Sequence, residues 1–405
     1  MKIYISGIAG TGMGPLALMA KAVGFTVYGS DRAEGAICAE LKKAGVEFEI
    51  GEQDGEYLSE HLDGLDWFAY TSALPEDHAE LKLAREAGVK VTKRDELTAY
   101  LVRELGLKMV AVAGTHGKTT TTAMIVFAAL KLGLPAAYIV GTTLGFAPSG
   151  AYHTGDKYFV YEADEYDRNF LKYEPWLAVL PYVSYDHPDI YPTRVDYEAA
   201  FAQFKSQSEK VIEQADAMML EEDFKLAGEV RRLDAKLAAL AVREMAPDVE
   251  MSKIVEILNE FPGVGRRFEK LPNGIYTDYA HHTEEIAATI DVAKEEAGLS
   301  GKKKVVVVYE PHQNTRQHEV MDGYASAFLG ADKVYWLPTY LTRENPELKV
   351  LAPSDFVEKL KGVDVEVAEM NDDLMGKILA HVQAGDLVVL MSAGPADGWL
   401  RNNLA

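Results

Sequence analysis

The chain alternates short runs of β-branched and aromatic residues with longer stretches of helical apolar spacing, and it does so in three successive blocks. That alternation constrains the fold most strongly, because strands separated by helices return to one sheet as parallel neighbours covered on both faces. The first block opens with residues 2–6 and contains 27–31, 67–71 and 89–91; the second opens with 109–113, running into Gly114. The third opens near Gly274 and contains 304–309, 333–336 and 386–391. Residues 225–259 read mostly as helix, with Leu233, Leu237, Leu240 and Ala241 on one face. The expected fold class is α/β with mostly parallel sheets. At roughly 150 residues per domain, 405 residues hold two or three. Boundaries are placed near Leu107 and Arg267, giving domains 1–107, 108–267 and 268–405.

Apolar residues make up 48% of the chain, enough for ordinary cores, so a disordered polymer is excluded. Forty-one Lys and Arg against 63 Asp and Glu leave a net charge of −22, which repels a phosphate backbone and argues against nucleic acid as the main partner. Met1-Lys2 leads directly into an apolar run ending at Gly7, without a signal-peptide pattern, and no later apolar stretch is long enough for a bilayer. A cytoplasmic protein with no membrane partner is expected. The single cysteine, Cys38, allows no intrachain disulfide and no cysteine metal cluster, and reads as a small buried hydrophobe.

Two glycine turns follow opening strands. Gly7-Ile8-Ala9-Gly10-Thr11-Gly12-Met13 precedes a helical stretch over 16–22. Glycines let backbone approach a diphosphate, and the next helix offers free N–H groups and a positive dipole end. The spacing is GxxGxG, not the GxGxxG of the dinucleotide fingerprint, so a purely structural turn stays open. Asp31 ends the second strand where a ribose-reading carboxylate would sit. The stronger signal is Gly114-Thr115-His116-Gly117-Lys118-Thr119-Thr120-Thr121, ahead of a helix expected from Ala123. Such a turn cradles phosphates with backbone amides, sets Lys118 on the β- and γ-phosphates and offers the Thr119 hydroxyl to Mg²⁺. It is not Walker A, since Gly114 precedes Gly117 by only three residues. A lysine at a helix start opposes the dipole unless an anion is bound, which argues against a chance turn.

Glu162, Asp164, Glu165 and Asp167 follow the strand pattern at 158–161. They fall at the carboxyl edge where α/β sheets hold ligands, and hard oxygens suit Mg²⁺; the bland alternative is a solvated loop. Asp186-His187-Pro188-Asp189 could add another ligand. Arg266 and Arg267 form either a phosphate clamp or a charged hinge. Asp278-Tyr279-Ala280-His281-His282 could bind metal, relay protons or cap the helix from Glu284. Glu310-Pro311-His312-Gln313-Asn314-Thr315-Arg316 ends another strand and could read a carboxylate through Arg316.

In this order the motifs GIAGTGM, GTHGKTTTT, EADE, DH, GVGRRFE, DYAHH and EPHQNTR resemble those of the Mur ligases, over nearly the whole chain. The likeness is to the branch that uses UDP-N-acetylmuramate, which contains an L-alanine-adding ligase and a recycling ligase that attaches a tripeptide. The resemblance implies a Rossmann-like UDP-binding domain, a shortened P-loop ATPase-like central domain and a Rossmann-like C-terminal domain. It implies Gly10, Thr11, Gly12, Asp31 and Ser72 near the UDP-sugar. Gly114, Thr115, His116, Gly117, Lys118, Thr119 and Thr120, with Arg266, Arg267 and Asp278, are implied at ATP. Thr119 is implied on one Mg²⁺, and Glu162 and His187 on a second. Tyr279, His281 and Arg316 are implied in the amino-acid pocket, and Lys118, Glu162, His187 and His281 are the expected catalytic groups.

Several residues depart from the family pattern. The GxHNxxN motif survives only as residues 228–234, Tyr182 replaces an asparagine, Thr283 replaces a proline, and Gln313 replaces an arginine of the alanine branch. The resemblance still implies an ATP-dependent ligase that joins UDP-N-acetylmuramate to L-alanine through an acyl phosphate, in peptidoglycan synthesis, as a monomer or homodimer. The alternatives are the tripeptide-recycling ligase and a turnover-deficient nucleotide-binding homologue. A dinucleotide oxidoreductase is set aside because of the phosphate loop. Lys118→Ala is expected to cut turnover by several orders of magnitude with little loss of fold.

Overall fold

The structure is a computed structural model that describes residues 1–187, 190–342, 344–357, 360 and 362–404. Pro188 and Asp189 of the DH loop lie outside these. Among the described residues the strands form three sheets. The first holds β1 (Lys2–Ser6), β2 (Thr26–Asp31), β3 (Glu47–Ile50), β4 (Trp67–Tyr70) and β5 (Lys90–Lys93), in the order β3-β2-β1-β4-β5 and parallel throughout. The second holds β6 (Lys108–Val112), β7 (Ala136–Ile139), β8 (Gly150–Ala151), β9 (Tyr158–Glu162), β10 (Leu177–Leu180) and β11 (Lys210–Glu213), in the order β11-β10-β6-β9-β7-β8. The third holds β12 (Glu269–Lys270), β13 (Ile275–Asp278), β14 (Val305–Glu310), β15 (Lys333–Trp336), β16 (Asp364–Val367) and β17 (Leu387–Ser392), in the order β12-β13-β17-β14-β15-β16. Among the described residues, only the edge pairs β7–β8 and β12–β13 are antiparallel. The strands β14 and β17 are buried at every position, as parallel strands covered on both faces must be.

The chain divides into two compact units, residues 1–224 with 233–262 and residues 225–232 with 263–405. The first two sheets thus share one unit. A single apolar core runs from Ile3 through Leu107 and Met109 to Phe204. Close packing seals this junction: a Cβ on Gly150 would lie 2.2 Å from the Pro15 carbonyl oxygen, and Glu40 accepts from the Ser149 amide and hydroxyl at 2.7 and 2.9 Å.

One helix departs from expectation. The helix after the second glycine turn spans Lys118–Leu132, starting at Lys118 and not at Ala123. Four successive threonines disfavour a helix by propensity. Here Thr121 and Thr122 are buried, and the Thr122 hydroxyl donates back to the Lys118 carbonyl at 2.7 Å, so tertiary packing overrides the local preference.

Candidate active site

At the carboxyl ends of β1, β2 and β4 the first glycine turn is held from below. Gly7 (φ 84°) and Ile8 donate to the Ser30 carbonyl at 2.8 and 3.0 Å, and the Ala9 amide donates to Asp31 Oδ2 at 2.9 Å. Beneath it lies Glu80, 1% exposed, which accepts from Tyr4, Ser6 and Ser30 hydroxyls at 2.7, 2.5 and 2.6 Å and from Gln53 Nε2 at 3.3 Å. A buried carboxylate with this many donors locks the strand ends that carry the turn. Thr71, just before exposed Ser72, packs so close that a Cβ on Gly7 would meet its Cγ2 at 2.7 Å. Gly10, Thr11, Gly12 and Asp31 are therefore gathered in one turn, with Ser72 on the adjoining loop.

The second turn follows β6, between the acidic loop after β9 and the DH loop after β10. Gly114 has φ 155°, and a Cβ there would strike the Tyr182 carbonyl oxygen at 2.6 Å. That same carbonyl accepts from the Thr115 amide at 2.7 Å, while the His116 ring stacks on Tyr182 at 5.7 Å. Gly117 is in the left-handed region (φ 83°) and caps the helix, so Lys118 begins it. Lys118 Nζ donates to Glu165 Oε2 and Oε1 at 2.8 and 3.0 Å and to the carbonyls of Gly114 and Thr115. Glu165 is 1% exposed. Burial pushes its carboxyl up, but Lys118 and then His187 override that and hold it below the usual carboxylate range. His187 Nε2 stands 3.5 Å from Glu165 and 3.6 Å from Asp186; burial alone would lower this imidazole, yet those two acids raise it.

Glu162 faces a different partner. Its Oε1 accepts from the Thr119 hydroxyl at 2.9 Å, while Oε2 is buried without a hydrogen-bond partner among the described residues. A carboxylate oxygen left in this state suits a hard cation. Among the described residues, no three His, Cys, Asp or Glu side chains converge on one metal position. Phosphate oxygens and water would have to complete any Mg²⁺ shell begun by Thr119 and Glu162, which is how Mg²⁺ is usually bound beside a nucleotide.

The second unit gathers its own group at the carboxyl ends of β13, β17 and β14. Asp278 accepts from the Phe268 and Ala280 amides at 2.7 and 2.8 Å, and burial raises its carboxyl despite Arg267. The guanidinium groups of Arg266 and Arg267 sit over the Tyr279 ring at 4.6 and 5.3 Å. Arg266 also donates to the Ser392 carbonyl at 2.5 Å. His281 Nδ1 lies 3.2 Å from Glu285, and its ring is 5.5 Å from both Tyr279 and His312. Arg316 is close enough to Tyr309 and Tyr324 to oppose the upward push of burial on both phenols.

Three family descriptions match the chain in order: "Mur ligase family, catalytic domain" over residues 2–105, "Mur ligase middle domain" over 112–235 and "Mur ligase, glutamate ligase domain" over 266–394. A curated relative, the UDP-N-acetylmuramate–L-alanine ligase of Symbiobacterium thermophilum, is 31% identical across 97% of this chain and 92% of its own length. The chain belongs to the Mur ligase family.

The same-named enzyme of Caldicellulosiruptor saccharolyticus is 30% identical across 97% of this chain and 96% of its own. In fold, this Mur ligase is similar to the UDP-N-acetylmuramate-alanine ligase of Thermotoga maritima, with a TM-score of 0.80 at 24% identity over 99% of this chain and 98% of that one. It is less similar to a murein peptide ligase of Psychrobacter arcticus, with a TM-score of 0.64 at 24% identity over 100% and 98%. As a member of this family the protein is an ATP-using, C–N bond-forming ligase, and among the described residues no helix is long and apolar enough to cross a membrane.

Within this ligase the structure brings Gly114, Thr115, His116, Gly117, Lys118, Thr119, Glu162 and His187 into one cluster, with partly buried Thr120 on the same helix. In this structure the Glu162 carboxylate accepts from the Thr119 hydroxyl, and His187 lies beside Glu165. In the sequence Glu165 is one acid among four. Its signal was the EADE spacing, which in an extended segment puts Glu162 and Asp164 on one side and Ala163 and Glu165 on the other. Asp234, the last residue of the altered GxHNxxN segment, accepts from the Thr121 hydroxyl at 3.1 Å and lies against Gly117 of the second glycine turn.

Proposed function

We propose that this ligase joins UDP-N-acetylmuramate to L-alanine, with ATP cleaved to ADP and phosphate, as a cytoplasmic step of peptidoglycan synthesis. The observation that carries the reading is Lys118: a cation at a helix start, folded back onto buried Glu165, at the glycine turn that follows β6. Near the γ-phosphoryl group, Lys118 offsets the charge that builds as the sugar carboxylate attacks phosphorus and ADP departs. The amine nitrogen then attacks the acyl carbon, phosphate leaves, and the nitrogen loses a proton as the amide forms. Activation is required because a free carboxylate is a poor acyl donor.

Thr119 and Glu162 would hold Mg²⁺, which when bound neutralises phosphate charge. His187 stays on Glu165 and keeps that carboxylate in place. Arg266, Arg267 and Asp278 are assigned to ATP, and Tyr279, His281 and Arg316 to the amino acid. The resemblance of the named relatives supports L-alanine as the amine.

Phosphate release by the purified protein tests this. It is expected only when ATP, UDP-N-acetylmuramate and L-alanine are all present. Release with L-alanyl-γ-D-glutamyl-diaminopimelate but not with L-alanine would assign the tripeptide reaction instead. Nucleotide binding without release under any combination would leave a binding protein.

A further inference from the structure

Three consecutive residues at the junction of β5 and the helix Arg94–Glu104 each form an ion pair with the segment after β9. Lys93 Nζ is 2.5 Å from Asp167, Arg94 Nη2 is 3.8 Å from Asp164, and Lys172 pairs with Asp95. Both segments lie in the first compact unit. The segment they hold carries two successive left-handed residues, Asp167 and Arg168, with φ of 54° and 56°. Such conformations persist where surrounding contacts over-determine them.

Arg94 reaches the other way as well. A Cβ on Gly12 would stand 1.9 Å from Arg94 Nη1, although the Gly12 φ of −94° suits any residue. The short distance shows that the Arg94 guanidinium fills the space beside Gly12. That guanidinium is seated on the N-terminal end of the helix Met13–Ala22, whose first turn holds no acidic residue. Among the described residues, the amides of Thr11 and Gly12 find no acceptor. A cation against a helix N-terminus is unfavourable by itself and becomes favourable when an anion accepts from the guanidinium and the amides together. Asp164, at 3.8 Å, is too distant to accept a hydrogen bond.

We propose that Arg94 is a two-site residue: its guanidinium on Gly12 binds the diphosphate of the UDP-sugar, and its pairing with Asp164 couples that turn to the acidic loop bearing Glu162 and Glu165. The inference rests on the reading that the glycine turn takes the UDP-sugar. When the diphosphate draws the guanidinium, Asp164 loses its counter-ion and adds negative charge to the loop that meets Mg²⁺. Nucleotide with Mg²⁺ is then bound more tightly, and by linkage the nucleotide tightens the UDP-sugar by the same factor.

Calorimetric titration of UDP-N-acetylmuramate, with and without Mg²⁺ and a non-hydrolysable ATP analogue, tests the proposal on the full chain. Arg94→Ala is expected to weaken UDP-sugar binding roughly 10- to 100-fold, the range of a lost charge-assisted hydrogen bond. Arg94→Lys, which keeps the charge and loses the fork, is expected to weaken it severalfold and serves if the alanine variant does not fold. Asp164→Asn should retain UDP-sugar affinity but abolish the tightening by nucleotide. Lys172→Ala, which breaks only the neighbouring pair, should change neither quantity. Unchanged UDP-sugar binding in both Arg94 variants, coupling that survives in Asp164→Asn, or a Lys172→Ala loss equal to that of Arg94→Ala would each overturn the inference. If the wild-type chain fails to bind UDP-N-acetylmuramate, the functional reading falls and this inference with it; normal wild-type binding confines any failure to Arg94.

Discussion

Lys118 has two roles that its position in the sequence does not separate. On the proposed function it is a phosphate ligand when ATP is bound; without ATP it is the counter-ion of a carboxylate that is 1% exposed. Removing it leaves Glu165 buried with His187 at 3.5 Å as its remaining charged neighbour, so the expectation of little loss of fold is revised. Lys118→Ala is expected to lower stability by roughly 3 kcal/mol, the scale for breaking a buried pair, as well as to abolish turnover. The double variant Lys118→Ala/Glu165→Gln should recover most of that stability and none of the activity. Denaturant unfolding of the two variants checks this; equal stability of the single variant and wild type would show that solvent reaches Glu165. The motif GTHGKT identified Lys118 directly. Glu165 stayed hidden among four acids, because which of them is buried depends on how the loop turns after β9.

At the scale of elements, the helix Asn314–Val320 shows how a loop presents its side chains. Glu344, from a distant loop, accepts from the Asn314, Thr315 and Thr342 amides at 2.9, 3.0 and 3.1 Å. Burial pushes the Glu344 carboxyl up, and these amides override it, leaving it below the usual range. A depressed carboxyl contributes stability above its unfolded pKa and loses it as pH falls through the folded value. The stability difference between wild type and Glu344→Gln should therefore be full near neutrality and vanish between about pH 5 and 3. A pH series of unfolding midpoints reads it; a constant difference would remove the charge from the explanation. This helix is preceded by Gln313, held at φ 66° with its amide donating to the Tyr340 carbonyl at 3.0 Å. Gln313→Arg keeps that backbone and adds a second guanidinium beside Arg316. It is expected to lower the KM for L-alanine roughly 10- to 150-fold, the equivalent of about 1.5 to 3 kcal/mol, while leaving the KM for ATP unchanged. Steady-state kinetics with L-alanine and ATP varied in turn decide it; no change for L-alanine would mean that the loop holds no carboxylate.

For the whole molecule, the net charge of −22 opposes the approach of substrates that are themselves polyanions. Salt screens that repulsion, so the association rate of UDP-N-acetylmuramate is expected to rise between about 20 and 200 mM NaCl, opposite to ordinary electrostatic steering. Stopped-flow binding measures it, and a falling rate would mean that the local cations dominate the field. Much of the architecture was legible beforehand because periodicity is a local property. Strands such as Lys333–Trp336 announce themselves by β-branched and aromatic runs, and glycine turns by residues that alone permit close backbone approach. The second glycine turn and its lysine were legible for that reason. The sequence by itself thus determined three blocks of parallel α/β structure and the order of their motifs. Only the tertiary structure decided that the first two sheets share one core, that Glu80 supports the first turn from beneath, and that Arg94 meets both Gly12 and Asp164. Those outcomes depend on burial and on contacts between residues tens of positions apart, where desolvation sets which charges must pair, and no local pattern records that.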